Sequence, residues 1–259
     1  MLIGTRRHEM MKLLETKPQI TIPELAEQFN VSQMTIRRDL DTLQTEGKIQ
    51  RSHGGAMKVK RFMGAKYEER ANEHKAEKAA IAKEAVKHIQ DHMSLILDAG
   101  TTVAAMVDEL ERFKGLKIIT RDLHTALMLS NEERFGSFDV YCAGGRVSKW
   151  AYSNDGIYTE QMFRSITVDV AFLTCEAVSQ AKGAMAWSPN LVGARQTSME
   201  AAGKSILLAD STKFSYNSLA IFAGVDAFDE IITDSRLDEY EAAAYRKAGI
   251  PLSIVPGAG

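Results

Sequence analysis

The sequence predicts a small α+β domain followed by an α/β domain with a largely parallel sheet. The chain has 259 residues, of which 45% are hydrophobic, so it is long enough to form the cores of two ordinary domains. Charge is uneven along it: residues 1–61 hold 11 lysines and arginines against 7 acidic residues, although the whole chain carries a net charge of −2. Alternating strand-like and helix-like stretches follow only later. We therefore expect one domain over residues 1–60, a partly helical linker over 61–77 and a second domain over 78–259.

Several classes of protein are excluded at this stage. No apolar run approaches the ~18 residues of a membrane span, and the start, MLIGTRRHEMMKLL, lacks the apolar core and cleavage site of a signal peptide. Cys142 and Cys175 lie in apolar, strand-like contexts without CxxC spacing, which predicts buried, reduced thiols. We expect a cytoplasmic protein with no membrane partner, no cofactor, no metal site and no disulfide.

The first segment begins with the patterns of two helices. In TRRHEMMKLLETK, three apolar residues, Met10, Leu13 and Leu14, share one face. TIPELAEQF then opens with a capping box, in which Thr21 and Glu24 satisfy each other's backbone donors. A second short helix is therefore expected directly after Thr21.

A third helix follows the turn NVS, and Ser32 is the expected N-cap. Its inward side carries Ile36, Leu40 and Leu43, and Gly47 ends it. Short helix, three-residue turn and longer helix form the helix-turn-helix layout, here over about residues 20–39. The exposed first turns of the second of these helices enter the major groove of DNA in that layout.

Five residues are the predicted DNA contacts of this helix: Ser32, Gln33, Thr35, Arg37 and Arg38. Gln33 and Thr35 are placed to read base edges, and the arginines to contact guanine or phosphate. Asp39 is interpreted as an orienting partner for an arginine. The alternative is a three-helix scaffold with a solvated basic face.

The stretch KIQRSHGGAMKVK alternates and breaks at Gly54-Gly55, which predicts a two-stranded β-wing. Its basic residues suit the phosphate backbone of DNA: Lys48, Arg51, Lys58 and Lys60. His53 is a further predicted DNA contact. A winged helix-turn-helix domain that binds double-stranded operator DNA follows from these patterns.

The stretch TIPELAEQFNVSQMTIRRDLDTLQTEGKIQRSHGGA resembles the N-terminal signature of the DeoR family of bacterial transcriptional regulators, through its TIRRDL core and its closing R-x-H-G-G-A. The resemblance covers nearly the whole chain, because DAGTT, AGG and LLADSTKF follow in the family's order. It implies a sensor domain similar to sugar-phosphate isomerases. Such a domain would bind a phosphorylated sugar or related metabolite and control a carbohydrate operon.

Seven strand-like runs mark the second domain: LILD, LKIIT, FDVYCAG, DVAFLTC, SILLAD, EIITD and PLSIV. Helix-like stretches alternate with them: TVAAMVDELERF, LHTALMLS, GIYTEQMFRSI, LVGARQTSMEAAG and DEYEAAAYRKAG. That alternation predicts a largely parallel sheet with buried central strands.

Ligands of such sheets bind at the carboxyl ends of the strands. The clearest strand end is DAGTT, where Gly100 permits a close turn and Thr101 and Thr102 offer N–H and hydroxyl donors to a phosphate. Asp98 is expected either to accept hydrogen bonds from sugar hydroxyls or to brace this loop. The complete set of predicted effector contacts is Asp98, Gly100, Thr101, Thr102, Thr120, Arg121, Asp122, Gly145, Arg146, Glu176, Asp210 and Lys213. The alternative for DAGTT is an ordinary turn between strand and helix.

Two departures from the DeoR pattern bear on the ligand. Arg121 stands where many members have Asn or Ser, and CEAV replaces a glycine-rich G-x-x-G after the fourth strand. With Trp150, Tyr152 and Trp187 in nearby loops, these departures predict a bulkier and differently charged pocket.

An isomerase-like enzyme with a DNA-binding appendage is the alternative function, since Asp98, Glu176 and Lys213 could serve as acid and base groups. Ser-His-Asp, HExxH and Walker patterns are absent from the sequence, and no catalytic residue is assigned. We expect a repressor that acts as a homodimer or homotetramer, because one helix-turn-helix buries too little surface for operator affinity.

Overall fold

The computed structural model of the chain describes residues 3–17, 19–45, 49–52, 55–58, 66–214 and 217–256. The chain divides into two compact units, the first over Met1–Arg61 and the second beginning at Phe62. Each unit has its own hydrophobic core.

The first unit consists of three helices and a small antiparallel sheet. The helices are α1 (Ile3–Thr16), α2 (Ile22–Phe29) and α3 (Gln33–Thr45). The strands are β1 (Gln19–Thr21), β2 (Ile49–Ser52) and β3 (Gly55–Lys58), in the order β1-β3-β2. The three helices and the two wing strands match the sequence prediction. Strand β1 was not predicted, because three residues are too few to show an alternating pattern.

Local sequence signals explain the ends of these helices. Thr21 and Glu24 form the predicted capping box, and Asn30 ends α2 in the left-handed conformation with φ of 49°. The Ser32 hydroxyl accepts a hydrogen bond from the Thr35 N–H at 3.2 Å, as an N-cap does. Gly47, the predicted end of α3, lies outside the described residues.

The core of the first unit combines the predicted apolar helix faces with residues that were not predicted, namely Ile20, Ile22, Ile49 and Ala56. Its members are Met10, Leu14, Ile20, Ile22, Leu25, Ile36, Leu40, Leu43, Ile49 and Ala56, with Leu13 partly buried against them. All three inward residues predicted for α3 are therefore buried.

The second unit is an α/β domain around a parallel sheet. The strands of that sheet are β4 (Ser94–Leu97), β5 (Lys117–Thr120), β6 (Asp139–Cys142), β9 (Val168–Thr174), β12 (Ala202–Leu208), β14 (Glu230–Asp234) and β15 (Leu252–Val255). Their order is β15-β14-β12-β9-β4-β5-β6, and every neighbouring pair is parallel. These are the seven strands that the sequence predicted.

Helices surround this sheet. They are α4 (Tyr67–Asn72), α5 (Lys75–Ala85), α6 (Thr101–Ala104), α7 (Val107–Leu110), α8 (Leu123–Leu129), α9 (Glu132–Phe135), α10 (Ile157–Arg164), α11 (Val192–Glu200) and α12 (Glu239–Lys247). Five short strands add two smaller antiparallel elements: β7 (Arg146–Ser148), β8 (Ser153–Asp155), β10 (Ala177–Ser179), β11 (Gly183–Ala186) and β13 (Ala220–Ala223). The sequence predicted none of these five, because each is too short and irregular to stand out.

Successive residues of the central strands point to opposite faces of the sheet and enter two different cores. On β4, Leu95 and Leu97 join one cluster while Ile96 joins the other. On β12, Ile206 and Leu208 join the first cluster and Leu207 the second. Both faces are thus covered, as continuous apolar strands require.

The structure also bears on two sequence predictions, one about membrane-spanning helices and one about the burial of the cysteines. Within the described residues, no helix has the length and apolar character needed to cross a membrane. Cys175 is buried as predicted, but the prediction for Cys142 is wrong, because this thiol is exposed. The physical reason is that β6 is the last strand of the sheet and leaves Tyr141 and Cys142 accessible.

Candidate functional site

The first turns of α3 present polar side chains to solvent. Gln33, Arg37 and Arg38 are exposed, Thr35 is half-buried, and the Ser32 hydroxyl lies 2.9 Å from that of Thr35. Ser32 therefore has a structural role at this corner in addition to its predicted contact with DNA. A further exposed side chain of the same turn, Met34, is 57% exposed and was not predicted.

Asp39 does orient arginines, but not those of the recognition helix. It is 2% exposed, and its carboxylate accepts hydrogen bonds from Arg6 Nε at 2.6 Å and from Arg7 Nε at 2.9 Å. Asp39 faces α1, so it pairs with the arginines of that helix, whereas Arg37 and Arg38 point to solvent. Asp39 thus ties α1 to α3.

The wing residues are described only in part. Arg51 and Lys58 lie on β2 and β3, whereas Lys48, His53 and Lys60 lie outside the described residues. Gly55 is required where β3 pairs with β1, because a Cβ there would lie 2.1 Å from the Ile20 carbonyl oxygen. Gly55, one of the two glycines predicted to break the wing, is thus also needed for the close approach of β3 to β1.

A polar pocket, here called the effector pocket, lies in the second unit at the carboxyl ends of β4, β9 and β12. Six predicted effector residues line it: Gly100, Thr101, Thr102, Glu176, Asp210 and Lys213. Seven others were not predicted: Arg70, Glu73, His74, Lys78, Thr174, Cys175 and Thr212. The strands β4, β9 and β12 are consecutive neighbours in the sheet, which is why their ends converge.

The loop after β4 is tightly held beneath this pocket. The Gly100 N–H donates to Asp122 Oδ2 at 3.2 Å, and a Cβ on Gly100 would lie 2.9 Å from the Thr174 side chain. The helix predicted after this loop is broken into α6 and α7, of four residues each. Because the dipole of such a short helix is small, an anion at this loop would have to be held mainly by side-chain cations.

Asp98 does not line the effector pocket. It is 1% exposed, and its carboxylate accepts hydrogen bonds from Arg121 Nε at 2.7 Å, Arg195 Nε at 3.2 Å and Thr174 Oγ1 at 3.1 Å. Burial opposes ionisation, but the charges of Arg121 and Arg195 outweigh it and lower the pKa of Asp98. Of the two predicted roles, bracing the loop fits this geometry and reading sugar hydroxyls does not.

Arg195 of α11 was not predicted, yet it connects Asp98 to the pocket. Its two terminal nitrogens donate to the Glu176 carboxylate at 2.8 and 3.1 Å. This bidentate pair fixes the orientation of Glu176, whose side chain is 13% exposed at the pocket wall.

The residues predicted after β5 are buried and do not line the pocket. Thr120 donates its hydroxyl hydrogen to the Leu97 carbonyl at 2.7 Å, Arg121 pairs with Asp98, and Asp122 caps α8 by accepting from the Thr125 N–H at 2.9 Å. Burial raises the pKa of Asp122. Strand β5 lies one position further towards the edge of the sheet than β4, so its end falls behind the loop.

The residues predicted after β6 lie in a second cleft. Gly145, Arg146 and Asp155 are among its lining residues, and Arg146 donates to the Asp155 carboxylate at 2.9 and 3.0 Å. The parallel sheet places the ends of β5 and β6 at the same rim as the other strand ends, as predicted, but none of the residues predicted there is among the described lining residues of the effector pocket.

None of the three loop aromatics is among the effector-pocket residues that the structure describes. Trp150 is 55% exposed, the Tyr152 hydroxyl donates to Glu68 Oε1 at 2.8 Å, and Trp187 packs against a core cluster. The predicted bulkier pocket is thus not formed by these side chains.

The cations of the effector pocket come mainly from the N-terminal helices of the second unit. Lys78 on α5 is 5% exposed, and its ammonium group donates to the carbonyl oxygens of Arg70 and, at 2.8 Å, Glu73. Burial is the main cause that lowers the pKa of Lys78 to about 8. Lys213 lies across the pocket beside Asp210. Burial opposes ionisation of the Asp210 carboxyl, but the Lys213 charge and the Thr212 hydroxyl lower its pKa.

Comparison with known proteins agrees with this two-unit arrangement. Residues 6–62 match the DeoR-like helix-turn-helix domain, and residues 73–235 match the DeoR C-terminal sensor domain. The L-fucose operon activator of Escherichia coli is 32% identical over 240 residues, which are 90% of this chain and 96% of that protein. The transcriptional repressor AccR of Agrobacterium fabrum is 31% identical over 232 residues, 89% of each chain.

Among solved structures, ribose 5-phosphate isomerase A from Methanocaldococcus jannaschii aligns with a TM-score of 0.38 and 18% identity over 53% of each chain. Similarity at that level is too weak to indicate a function. The two domain matches and the full-length relatives confirm the family that the sequence motifs resemble. The chain belongs to the DeoR family of DNA-binding transcriptional regulators, and it is not an enzyme.

Proposed function

We propose that this chain is a cytoplasmic repressor of a carbohydrate-utilisation operon, and that a phosphorylated sugar bound in the effector pocket releases it from operator DNA. The observation that carries the proposal is the pocket itself, where Arg70, Lys78 and Lys213 surround the Gly100-Thr101-Thr102 loop. Of the two relatives, one is named an activator of the L-fucose operon, which supports a carbohydrate operon, and the other is named a transcriptional repressor.

The phosphate end of the ligand belongs at the cationic side of the pocket. Lys213 and Lys78 supply ammonium donors, and the hydroxyls of Thr101 and Thr102 supply further donors at the loop. Hydrogen bonds between such charged donors and phosphate oxygens are short and about twice as strong as neutral ones. A dianionic phosphate offsets the mutual repulsion of the lysines, so its binding is favoured over that of an uncharged sugar.

The sugar end of the ligand belongs at the acidic side. Glu176 and Asp210 line the pocket and are already held in place, the first by Arg195 and the second by Thr212. Carboxylates fixed in this way accept hydrogen bonds from sugar hydroxyls without further ordering. They would also repel a second phosphate, which favours a monophosphate.

The DNA-binding half of the proposal rests on the exposed first turns of α3, with Gln33, Arg37 and Arg38 as the base and phosphate contacts. A single helix-turn-helix gives low operator affinity, so we propose a homodimer or homotetramer that reads repeated half-sites. A fragment of residues 1–60 is accordingly expected to fold but to bind operator DNA feebly. Tight, operator-specific binding by that fragment as a monomer would contradict this part of the proposal.

The test is operator binding by the full chain in the presence of a panel of sugar phosphates and the corresponding unphosphorylated sugars. A phosphorylated member is expected to weaken operator binding, while its unphosphorylated counterpart has no effect at the same concentration. A phosphosugar that strengthens binding would make the protein an activator or a co-repressed regulator. An unphosphorylated sugar that acts at least as well as its phosphate would overturn the proposed ligand class.

A further inference from the structure

The corner between α4 and α5 forms one wall of the effector pocket. It contributes Arg70, Glu73, His74 and Lys78, which are about a third of the pocket's described lining residues. In the sequence, this corner lies only a few residues after the first unit ends at Arg61. The segment that joins the two units along the chain therefore continues directly into the ligand site.

Lys78 holds this corner together from the pocket side. Its ammonium group has three donors, and two of them reach the carbonyl oxygens of Arg70 and Glu73 at the end of α4. The two carbonyls lie in the last turn of α4 and at its C-cap, where lysine side chains commonly donate to helix carbonyls. The third donor is on the same nitrogen, in a residue that lines the pocket, so one side chain can link a bound anion to the ends of both helices.

A second set of contacts to the corner comes from Arg236, which follows β14. Its guanidinium lies 2.7 Å from His74 Nδ1 and 2.8 Å from Glu77 Oε1. His74 itself has φ of 53°, a left-handed conformation that costs free energy in a residue other than glycine. Two cations thus stabilise the corner: Arg236, and Lys78, which a ligand in the pocket can also contact.

We infer that the α4–α5 corner, residues 70–78, is the part of the effector site that reports ligand occupancy to the chain segment leading to the DNA-binding unit. An anion in the pocket accepts hydrogen bonds from Lys78 and Arg70 and so stabilises the corner and the end of α4. This inference rests on the proposed function, because it takes the effector pocket as the ligand site.

Hydrogen–deuterium exchange of the full chain tests it, with inorganic phosphate as the probe and sodium chloride at equal ionic strength as the reference. At ten times the dissociation constant, amides whose exchange requires ligand release should exchange about tenfold more slowly. We expect this slowing at two places, the loop of residues 100–102 and the corner of residues 70–78. Lys78→Gln should abolish it at the corner and weaken phosphate binding about tenfold. Lys75→Gln, an exposed lysine of the same helix that does not line the pocket, should leave both effects unchanged.

The possible outcomes separate the inference from the proposed function. Slower exchange in the loop but unchanged exchange at the corner of the wild-type chain would overturn the inference and leave the proposed ligand site intact. Unchanged exchange at both places would overturn both. Since the wild-type measurement decides between these results, the inference stays testable even when Lys78→Gln does not fold. In that case Lys78→Arg, which keeps the charge, is expected to retain slower exchange at the corner, and its loss would also count against the inference.

Discussion

Two pairs of arginines, one pair in each unit, play opposite roles. Arg37 and Arg38 of the first unit are exposed on α3, whereas Arg121 and Arg195 of the second are each 1% exposed and both pair with Asp98. An exposed guanidinium keeps its donors for a ligand, and its interactions weaken as salt is added. A buried guanidinium costs several kcal/mol to desolvate and is tolerated only with its carboxylate partner. The comparison separates charges that bind a partner from charges that maintain the fold, and the two kinds should respond differently to substitution.

Removal of Asp98 tests the buried side of this comparison and should have the largest effect. Asp98→Ala leaves Arg121 and Arg195 without their shared carboxylate, which is expected to lower the free energy of unfolding by about 3–5 kcal/mol. Urea unfolding of the second unit measures the change. Asp108→Ala is the matched control, because this side chain is 75% exposed where it pairs with Arg134, and such surface pairs contribute about 0–1 kcal/mol. Equal unfolding midpoints for the two variants would contradict the structural role of the buried pairs.

Removal of an exposed arginine tests the other side. Arg37→Ala or Arg38→Ala should weaken operator binding by about 1–3 kcal/mol where the arginine contacts a base, with stability unchanged. Lys58→Ala, on the predicted wing, is expected to weaken binding to all DNA sequences alike and to reduce the salt slope by about 1. Fluorescence anisotropy with operator and scrambled DNA at several salt concentrations distinguishes the two. Unchanged operator affinity in both arginine variants would rule out the proposed docking of α3.

Lys78 combines features of the charges that maintain the fold and of those that bind a partner, since it is buried and also lines the effector pocket. Its pKa is lowered to about 8, chiefly by burial, so the ammonium group is charged below that pH and loses its proton above it. A bound phosphate favours the charged form, so effector affinity should change little between about pH 7 and 7.5 and fall by up to tenfold per pH unit above 8. The charged and titratable groups that face Lys78 are Arg70, Glu73, His74, Glu176, Asp210 and Lys213.

Calorimetric titration with the effector between pH 7 and 9.5, in buffers of different ionisation enthalpy, measures that affinity and the proton taken up with the ligand. Lys78→Arg should remove the dependence in this range, because an arginine stays charged throughout. An affinity that does not change with pH in the wild-type chain would show that the ammonium of Lys78 does not contact the phosphate.

The first unit could be predicted in detail because its determinants are local. The capping box from Thr21 to Glu24 lies within four residues, and the spacing of Ile36, Leu40 and Leu43 within one helix gives its buried face directly. Asp39, whose partner was misinterpreted, pairs with arginines 32 and 33 residues away, in α1. No pattern within α3 contains that information.

In the second unit, the sequence locates the strand ends but not which of them meet. The ends of β4, β9 and β12 were correctly grouped, whereas β5 and β6 were grouped with them because strand order cannot be read from chain order. Arg195 was missed because it lies 97 residues from Asp98, within a helix whose sequence shows no special motif. Lys78 was not predicted because it directly follows the linker of residues 61–77, in a stretch rich in charged residues. The one available signal for its burial was helical spacing, because Lys78 shares the inward face of α5 with Ile81, Ala82 and Ala85.

The most direct test of the account is operator release by phosphosugar in Lys213→Met compared with the wild-type chain. This substitution keeps the aliphatic stem and removes the charge, which should cost about 2–5 kcal/mol of effector binding where the phosphate is buried. Lys204→Met, at an exposed lysine near the start of β12, the strand that precedes Lys213, is the matched control. We predict that Lys213→Met binds operator normally but is no longer released, while Lys204→Met behaves as the wild type does. Release of Lys213→Met at the wild-type ligand concentration would contradict the assignment of the effector pocket.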